Sequence, residues 1–157
     1  MKNATFDGKI SLFYPDDFYE MNEEEMKRFF GGDMLRFGAR NAEKHIILSL
    51  TKSKKSFLNI FASSISVLAG VEHTFSSNLK DYNCLDRFEF EMFSKKGNGI
   101  RFTYLAIDQD VKQYCEMTVV KYKNNFYVSY CLSRFEDKQQ SEEVFKSFRD
   151  SLRLIEK

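Results

Sequence analysis

The stretch from Asp86 to Arg134 constrains the fold most, because apolar, aromatic-rich runs of alternating character follow one another there. Alternation of apolar and polar side chains is typical of a β-strand with one buried face. Strands that follow one another across short polar breaks usually pair with their predecessors. The sequence therefore predicts an antiparallel meander of four strands, around which the rest of the chain is arranged.

The breaks between these runs are predicted to be turns. The first is Ser94–Gly99 and the second is Asp108–Asp110. The glycines of the first break could also suggest a phosphate-binding loop, but it lies between two strands and no helix N-terminus follows it. The tightest turn is expected in Lys123–Phe126, with Asn124 and Asn125 as loop residues, because Asn tolerates the positive φ of a type I′ hairpin.

The position of that last turn sets which residues oppose each other, since side chains alternate strictly along paired strands. The predicted pairs of one face are Met117 with Leu132, Val119 with Tyr130 and Lys121 with Val128. Ile100, Phe102 and Tyr104 are expected to join that face, which is apolar. The predicted pairs of the other face are Thr118 with Cys131, Val120 with Ser129 and Tyr122 with Tyr127.

The second face is the candidate binding surface. It is too polar for a closed core, yet it is richer in apolar and Tyr side chains than a merely solvated face. Its further predicted members are Arg87, Glu89, Glu91 and Leu105. Either the N-terminal helix or a partner would cover it. We expect a protein or peptide partner to bind through six residues of this face, with the two tyrosines as amphipathic anchors: Arg101, Thr103, Thr118, Val120, Tyr122 and Tyr127.

The N-terminal part carries clear signals for one strand and one helix. Lys9–Tyr14 alternates like a strand and is followed by Pro15, which cannot continue it. A short helix is predicted over Glu23–Phe30, because Asn22 and Glu25 have the spacing of a capping box. Gly31 and Gly32 supply the left-handed residue that ends it.

Next, Leu35–Arg40 and His45–Thr51 are predicted to form a hairpin, with Ile46, Leu48 and Leu50 on its core side. From Ser56 the apolar period changes to that of a long helix. The apolar stripe of this helix is expected to contain Leu58, Phe61, Ile65, Leu68, Phe75 and Leu79. Gly70 indicates a bend or a close approach to the sheet. Glu72 falls on the stripe, either as a carboxylate at its wet edge or as a buried acid.

A second amphipathic helix is predicted to close the domain. It opens near Asp137–Ser141 and carries apolar residues at helical spacing: Val144, Phe145, Phe148, Leu152 and Ile155. Arg149 and Arg153 lie near its C-terminal end, where cations are favoured.

Composition and charge limit the functions that the chain could have. The 157 residues are enough to bury a core, so residues 1–157 are predicted to be one domain. A formal net charge of +1 creates no overall field that would attract nucleic acid or an anionic membrane. No apolar stretch has the length of a signal peptide or a membrane span. We therefore expect a cytoplasmic protein with no nucleic-acid partner and no membrane insertion.

Catalytic and cofactor signals are weak. The sequence contains no GxGxxG, GxxxxGK[ST], HExxH or GxSxG motif. The cysteines form no CxxC pair and lie far from both histidines, so we expect reduced thiols, no metal site and no cofactor. The best catalytic candidate is Cys131 with His45 as its base, which requires the two within hydrogen-bond reach. Small buried cysteines are ordinary core residues, so the sequence favours a protein without catalytic activity.

The order of elements resembles the PsbP-like fold superfamily, which includes the extrinsic photosystem II protein, the Ran-binding Mog proteins and small bacterial proteins of unknown function. The local similarities are Ile10–Pro15 (ISLFYP), Asn124–Val128 (NNFYV) and Phe148–Leu154 (FRDSLRL). The resemblance implies an α+β fold, in which helices sandwich an antiparallel sheet of about six to seven strands. A long crossover helix would follow the third strand, and a C-terminal helix would end the chain.

The same resemblance implies a domain without catalysis that often binds another protein. Some bacterial relatives act as secretion chaperones that hold apolar helices. The leading hypothesis is accordingly a non-catalytic binding or adaptor domain for a protein or peptide. The alternative is a small-molecule or lipid carrier with a cavity under the long helix, since a Phe-rich core can leave such a space. A cysteine-dependent enzyme is the third hypothesis.

Overall fold

The computed structural model describes residues 1–31, 35–53, 63–106 and 110–155. The strands are β1 (Lys2–Phe6), β2 (Ile10–Tyr14), β3 (Tyr19–Glu20), β4 (Arg36–Asn41), β5 (Ile46–Lys52), β6 (Asn83–Met92), β7 (Lys95–Leu105), β8 (Lys112–Tyr122), β9 (Asn125–Arg134) and β10 (Arg153–Leu154). The helices are α1 (Glu23–Phe30), α2 (Ser64–Asn78) and α3 (Lys138–Ser151). No helix among the described residues is long and apolar enough to cross a membrane.

Seven of these strands form one antiparallel sheet in the order β3-β4-β5-β9-β8-β7-β6. The predicted α+β class, the meander of β6 to β9 and the C-terminal helix are therefore confirmed. A second sheet, which was not predicted, has the order β1-β2-β10. It takes the Ile10–Tyr14 strand away from the large sheet, because that strand pairs with the N-terminal residues on one side and with Arg153–Leu154 on the other.

Both faces of the large sheet are covered over its central strands. On one face α3 and the small sheet pack on β4, β5, β8 and β9, and Phe145 and Phe148 of α3 are almost fully enclosed there. On the other face α2 packs on β7 and β8, with Leu68 above Ile100 and Phe102. Burying apolar surface on two faces explains why the strands of the meander are apolar well beyond strict alternation.

The hairpin between β8 and β9 turns one residue earlier than predicted. Lys123 and Asn124 have φ of 48° and 64°, so they are the two loop residues, and Asn125 already pairs with Tyr122. Both central residues of a type I′ turn need positive φ, and Lys123 adopts it although Asn would do so more readily. Met117 consequently opposes Tyr130 rather than Leu132. Every predicted pair is displaced by two positions, which leaves each side chain on its predicted face.

The prediction of a turn over Ser94–Gly99 is wrong. The chain reverses at Phe93 and Ser94, whose φ values are 57° and 58°, and β7 begins at Lys95. Gly97 and Gly99 lie inside β7. Glycine is needed at these two positions because the rings of Phe90 and Phe88 lie over them. A Cβ at these glycines would stand 2.4 Å and 2.3 Å from the rings.

This turn also reverses the predicted facing of β6. Phe88 pairs with Gly99 and Phe90 with Gly97, and both rings contact the guanidinium of Arg149 on α3. Arg87 instead lies on the α2 side, where it pairs with Glu72. Glu89 and Glu91 alternate with the phenylalanines and share the α2 side with Arg87.

The helix α1 begins and ends where the sequence predicts. The capping box of α1 is present, with the Glu25 amide donating to Asn22 Oδ1 over 2.9 Å, and Gly31 ends the helix with a φ of 66°. The helix α2 is described from Ser64, with Ser63 as its N-cap. The predicted beginning of this helix at Ser56, with Leu58 and Phe61, lies outside the described residues, as does Gly32.

Three helical predictions are corrected. Ile65 is 59% exposed, so it is not part of the buried stripe of α2. A Cβ at Gly70 would meet no atom within 4 Å, so this glycine makes no close approach to the sheet. The C-terminal helix ends at Ser151, because Arg153 and Leu154 pair with β2, and Ile155 beyond them is 40% exposed.

Candidate functional site: the edge strand β6 and its flanking clefts

The strand β6 forms one edge of the large sheet. Among the described residues it pairs only with β7, and it has ten residues, whereas the opposite edge strand β3 has two. A register shift between Cys84 and Asp86 marks a bulge in it. Charged side chains and bulges are the usual means by which proteins restrict pairing at such an edge. The β6 edge is therefore long, and its charges and its bulge restrict which strands could pair with it.

An ion-pair cluster lies between this edge and α3. Glu116 is placed by β8 on the α3 face, and its side chain is only 3% exposed. Its Oε1 accepts from Arg101 Nε of β7 over 3.2 Å, and its Oε2 accepts from Arg149 Nη1 of α3 over 2.7 Å. Both oxygens are thus engaged, as a buried carboxylate requires.

Aromatic rings hold the two arginines in place. The guanidinium carbon of Arg101 lies 3.9 Å from the ring centroid of Phe88, and that of Arg149 lies 5.1 Å from the same centroid. A cation over a ring face is attracted by the ring quadrupole. Burial lowers the pKa of Arg101, but Glu116 and Asp86 outweigh that effect, so the pKa is raised and the group stays charged.

The cluster opens into a cleft of about 470 Å³. The lining residues are Leu85, Asp86, Arg101, Glu116, Lys138, Glu142, Lys146 and Arg149. At its mouth the Asp86 carboxylate, half exposed, accepts from Arg101 Nη1 over 2.8 Å. Glu142 accepts from the Tyr114 hydroxyl over 3.2 Å, and burial is the main reason why the pKa of that hydroxyl is raised. The buried charged groups of this cleft already have partners, so its exposed side chains are the ones that can bind polar or charged groups.

A second cleft lies on the other face of β6, beside α2. Its volume is about 510 Å³. The lining residues are Ile65, Leu68, Ala69, Arg87, Phe88, Glu89, Asn98 and Gly99. A third cleft, of about 590 Å³, follows the end of β6 between Glu91–Ser94 and Arg149–Leu154. The edge therefore has a largely apolar cleft on one face and charged clefts on the other.

Glu72 connects α2 to the edge strand. Its Oε1 accepts from Arg87 Nη2, its Oε2 is buried, and the side chain is 18% exposed. Of the two alternatives for this residue, the structure thus favours a mostly buried acid over a wet carboxylate.

The six residues predicted to bind a partner have different surroundings. Four of them are at most 3% exposed beneath α3 and the small sheet: Thr103, Thr118, Val120 and Tyr127. Tyr122 is half-buried against the ring of Phe93. The sequence leaves the N-terminal helix and a partner as the two alternatives for covering this face, whereas α3 and the small sheet cover it in the structure. The N-terminal helix lies on the opposite face, where Phe30 contacts Tyr130. Of the six, the structure brings only Arg101 to the cleft.

The residues that sequence reasoning missed are Glu116, Arg149 and Phe88. One signal was present for Glu116, since it is the only acid between Val111 and Tyr122, in a largely apolar run. A carboxylate at the centre of such a strand indicates a buried ion pair and predicts a cation on the covering element.

The candidate thiol site does not have the chemistry of a nucleophile. Cys131 is 1% exposed, and burial raises the pKa of its thiol, whereas a reactive cysteine needs a lowered pKa. His45 is exposed in the turn before β5, with a φ of 55°. All three cysteines are free, and Cys115 and Cys131 pack in separate clusters on opposite sheet faces. Within the described ranges, no three His, Cys, Asp or Glu side chains are grouped to hold a metal ion.

Comparison with known proteins identifies the fold. No protein-family model matches the sequence, and no curated protein sequence matches it. The solution structure of cyanobacterial PsbP (CyanoP) from Synechocystis is similar, with a TM-score of 0.66 and 11% identity over 98% of this chain and 92% of that one.

Two further solved structures are similar. The Ran-binding protein Mog1p of Saccharomyces cerevisiae has a TM-score of 0.65 and 9% identity over 99% of this chain and 97% of its own. LpqN of Mycobacterium tuberculosis, involved in cell envelope biogenesis, has a TM-score of 0.54 and 12% identity, covering 94% of this chain and 83% of its own. This chain has the fold that the PsbP and Mog1 structures share.

Proposed function

We propose that the chain is a non-catalytic binding domain that takes up an extended segment of a protein partner along β6. The observation that carries this proposal is the position of a ten-residue edge strand between clefts on both of its faces. The binding surface of the proposal is thus the edge of the sheet rather than the face that the sequence predicts.

Strand addition uses the backbone for affinity and the side chains for specificity. An added strand satisfies the outward N–H and C=O groups of the edge, and its alternate side chains point to opposite faces of the sheet. Side chains on one face would enter the cleft of Ile65 and Ala69, and those on the other face would meet Asp86 and Arg101. A partner segment of alternating apolar and polar residues therefore fits best.

Side chains that are already held in place lower the entropic cost of association. Arg101 and Arg149 are fixed between Glu116 and Phe88, so the floor of the α3-side cleft is preorganised. A protein partner is also what the name of the Ran-binding Mog1p records for one protein of the same fold. The three free cysteines support a cytoplasmic location within this proposal.

The carrier alternative has less support. The interior under α2 is filled by rings, since Phe75 and Tyr82 lie 5.5 Å and 5.2 Å from Phe102 between centroids. Among the clefts formed by the described residues, the largely apolar one at Ile65 and Ala69 is where a small apolar molecule would bind.

A selection from random peptides tests the proposal and requires no identified partner. The immobilised folded protein is used to select phage-displayed random peptides, and each recovered peptide is mapped by amide hydrogen exchange. We expect alternating apolar and polar peptides that protect consecutive amides of β6. Protection confined to other elements would contradict strand addition, and so would recovery of no peptide by a monomeric chain.

Two variants of α2 sharpen this test. Ala69→Arg fills the α2-side cleft and is expected to weaken peptide binding about tenfold or more, since the apolar side chain loses its site. Ser76→Arg adds the same charge at an exposed position of the same helix and is expected to leave binding unchanged. Equal effects of both variants would show that the cleft is not used.

A further inference from the structure

We infer that a second copy of this chain is a partner for the β6 edge, with the two edges paired antiparallel about a twofold axis. This inference rests on the proposed function, because it requires β6 to accept an added strand. An antiparallel pair of identical edges is self-complementary and closed, so it yields a dimer with one continuous sheet rather than a fibre.

The charges of β6 select one register for this pairing. Arg87 and Glu89 lie on the same face, on either side of Phe88, and their side chains are 58% and 60% exposed. With the axis at Phe88, each Arg87 opposes the second copy's Glu89, which gives two attractive pairs. An axis at Arg87 or at Glu89 would place identical charges opposite each other, which is destabilising.

The partners that these two residues have within the chain are compatible with this register. Arg87 donates to Glu72, and Glu89 accepts from Lys96 over 2.8 Å. A guanidinium has five donors and a carboxylate has two oxygens, so each group can hold a second partner. The Glu89–Lys96 pair is well exposed and can exchange at little cost.

Apolar surface lies next to the proposed axis. The cleft of Ile65, Leu68 and Ala69 is also lined by Phe88, and Ile65 is 59% exposed. A twofold axis perpendicular to the sheet places α2 of both copies on the same side, with their Ile65 side chains near the axis. Pairing would thus cover the exposed Ile65 side chains, which adds a hydrophobic contribution to the backbone hydrogen bonds and ion pairs.

Charge reversal tests the register, with sedimentation velocity over a concentration series as the measurement. The wild-type chain is expected to dimerise. Arg87→Glu and Glu89→Arg are each expected to raise the dimer dissociation constant about tenfold or more, because two attractive pairs become repulsive. An equimolar mixture of the two variants is expected to regain wild-type affinity as a heterodimer, since both pairs become Glu opposite Arg. The double variant is expected to dimerise like the wild type.

Three controls keep the result interpretable. Glu143→Arg reverses an exposed charge on α3 and is expected to leave the dissociation constant unchanged. Urea unfolding of each variant distinguishes a loss of association from a loss of folding. Glu89→Arg tests the register without breaking the Arg87–Glu72 pair. Ile65→Asp is expected to weaken the dimer about tenfold or more without altering β6.

Two results would overturn the inference. One is a wild-type chain that stays monomeric throughout the series, and the other is a dimer that neither single reversal weakens. Peptides that protect β6 of a monomeric chain would reject the dimer alone. If no peptide bound and no dimer formed, the proposed function itself would be rejected.

Discussion

Glu116 of β8 and Arg149 of α3 form an ion pair of 2.7 Å across the interface between the C-terminal helix and the sheet. Their side chains are 3% and 10% exposed, so little water screens the pair. Arg101 binds the other carboxylate oxygen from β7. The helix that covers the predicted binding face is therefore held there by charge as well as by Phe145 and Phe148.

Removal of the central charge is expected to destabilise the fold strongly. Glu116→Gln leaves the nearly buried Arg149 without its anion and leaves Arg101 with the half-exposed Asp86 alone. Breaking a buried pair of this kind costs about 3 kcal/mol or more of unfolding free energy. Urea unfolding followed by circular dichroism measures the loss. Glu136→Gln is the matched control, because Glu136 is 72% exposed and its removal should change the free energy by about 0.5 kcal/mol at most. Equal losses would show that the cluster contributes nothing specific.

Alanine substitutions at two glycines are expected to change the stability of the protein in opposite directions. Gly99→Ala places a Cβ 2.3 Å from the ring of Phe88, and overpacking of this kind costs about 1–3 kcal/mol. Gly70→Ala, in the open on α2, should stabilise the protein by about 1 kcal/mol through helix propensity. Thermal unfolding compares both with the wild type. Phe88→Ala added to Gly99→Ala should relieve the clash, and a Gly99→Ala variant as stable as the wild type would contradict this packing.

The β8–β9 turn allows the two registers to be distinguished by mutation. Asn124→Gly is expected to stabilise the protein by up to about 1 kcal/mol, since Gly is favoured at the second position of a type I′ turn. Asn125→Gly is expected to destabilise it by about 0.5–1 kcal/mol, because Asn125 belongs to β9. Denaturant titration of both variants gives the comparison. A stabilising Asn125→Gly would support the turn that the sequence predicts.

Local sequence patterns were sufficient to predict which residues of β8 and β9 share a face. A turn displaced by one residue moves each partner by two positions, so Met117 and Val119 stay on the α2 side whichever register holds. The capping box of α1 was equally local, since Asn22 and Glu25 are three residues apart. Such features depend on short sequence separations and were predictable for that reason.

Features that depend on distant contacts were not predictable. Gly97 and Gly99 lie in a segment whose composition is typical of a turn. Only their contacts with the rings of Phe88 and Phe90 on the neighbouring strand show that these glycines make room for packing. The spacing of Phe145 and Phe148 shows that α3 buries one side, but not which face of the sheet it covers. The candidate surface consequently changed from a sheet face to a sheet edge.

The buried thiol of Cys115 predicts a loss of stability at alkaline pH. Burial raises the pKa of Cys115 to about 12, whereas an unfolded cysteine titrates near pH ~8.5. The folded state therefore holds this proton more tightly, and its contribution is complete below pH ~8.5 and is lost as pH rises toward about 12, by up to about 1.4 kcal/mol per pH unit. Cys115→Val and Cys115→Ser should each reduce the loss of unfolding free energy per pH unit by this amount, although the two variants differ in stability at neutral pH. Urea unfolding between pH 8 and 11 measures it, and an unchanged slope in both variants would show that this thiol does not titrate as its burial requires.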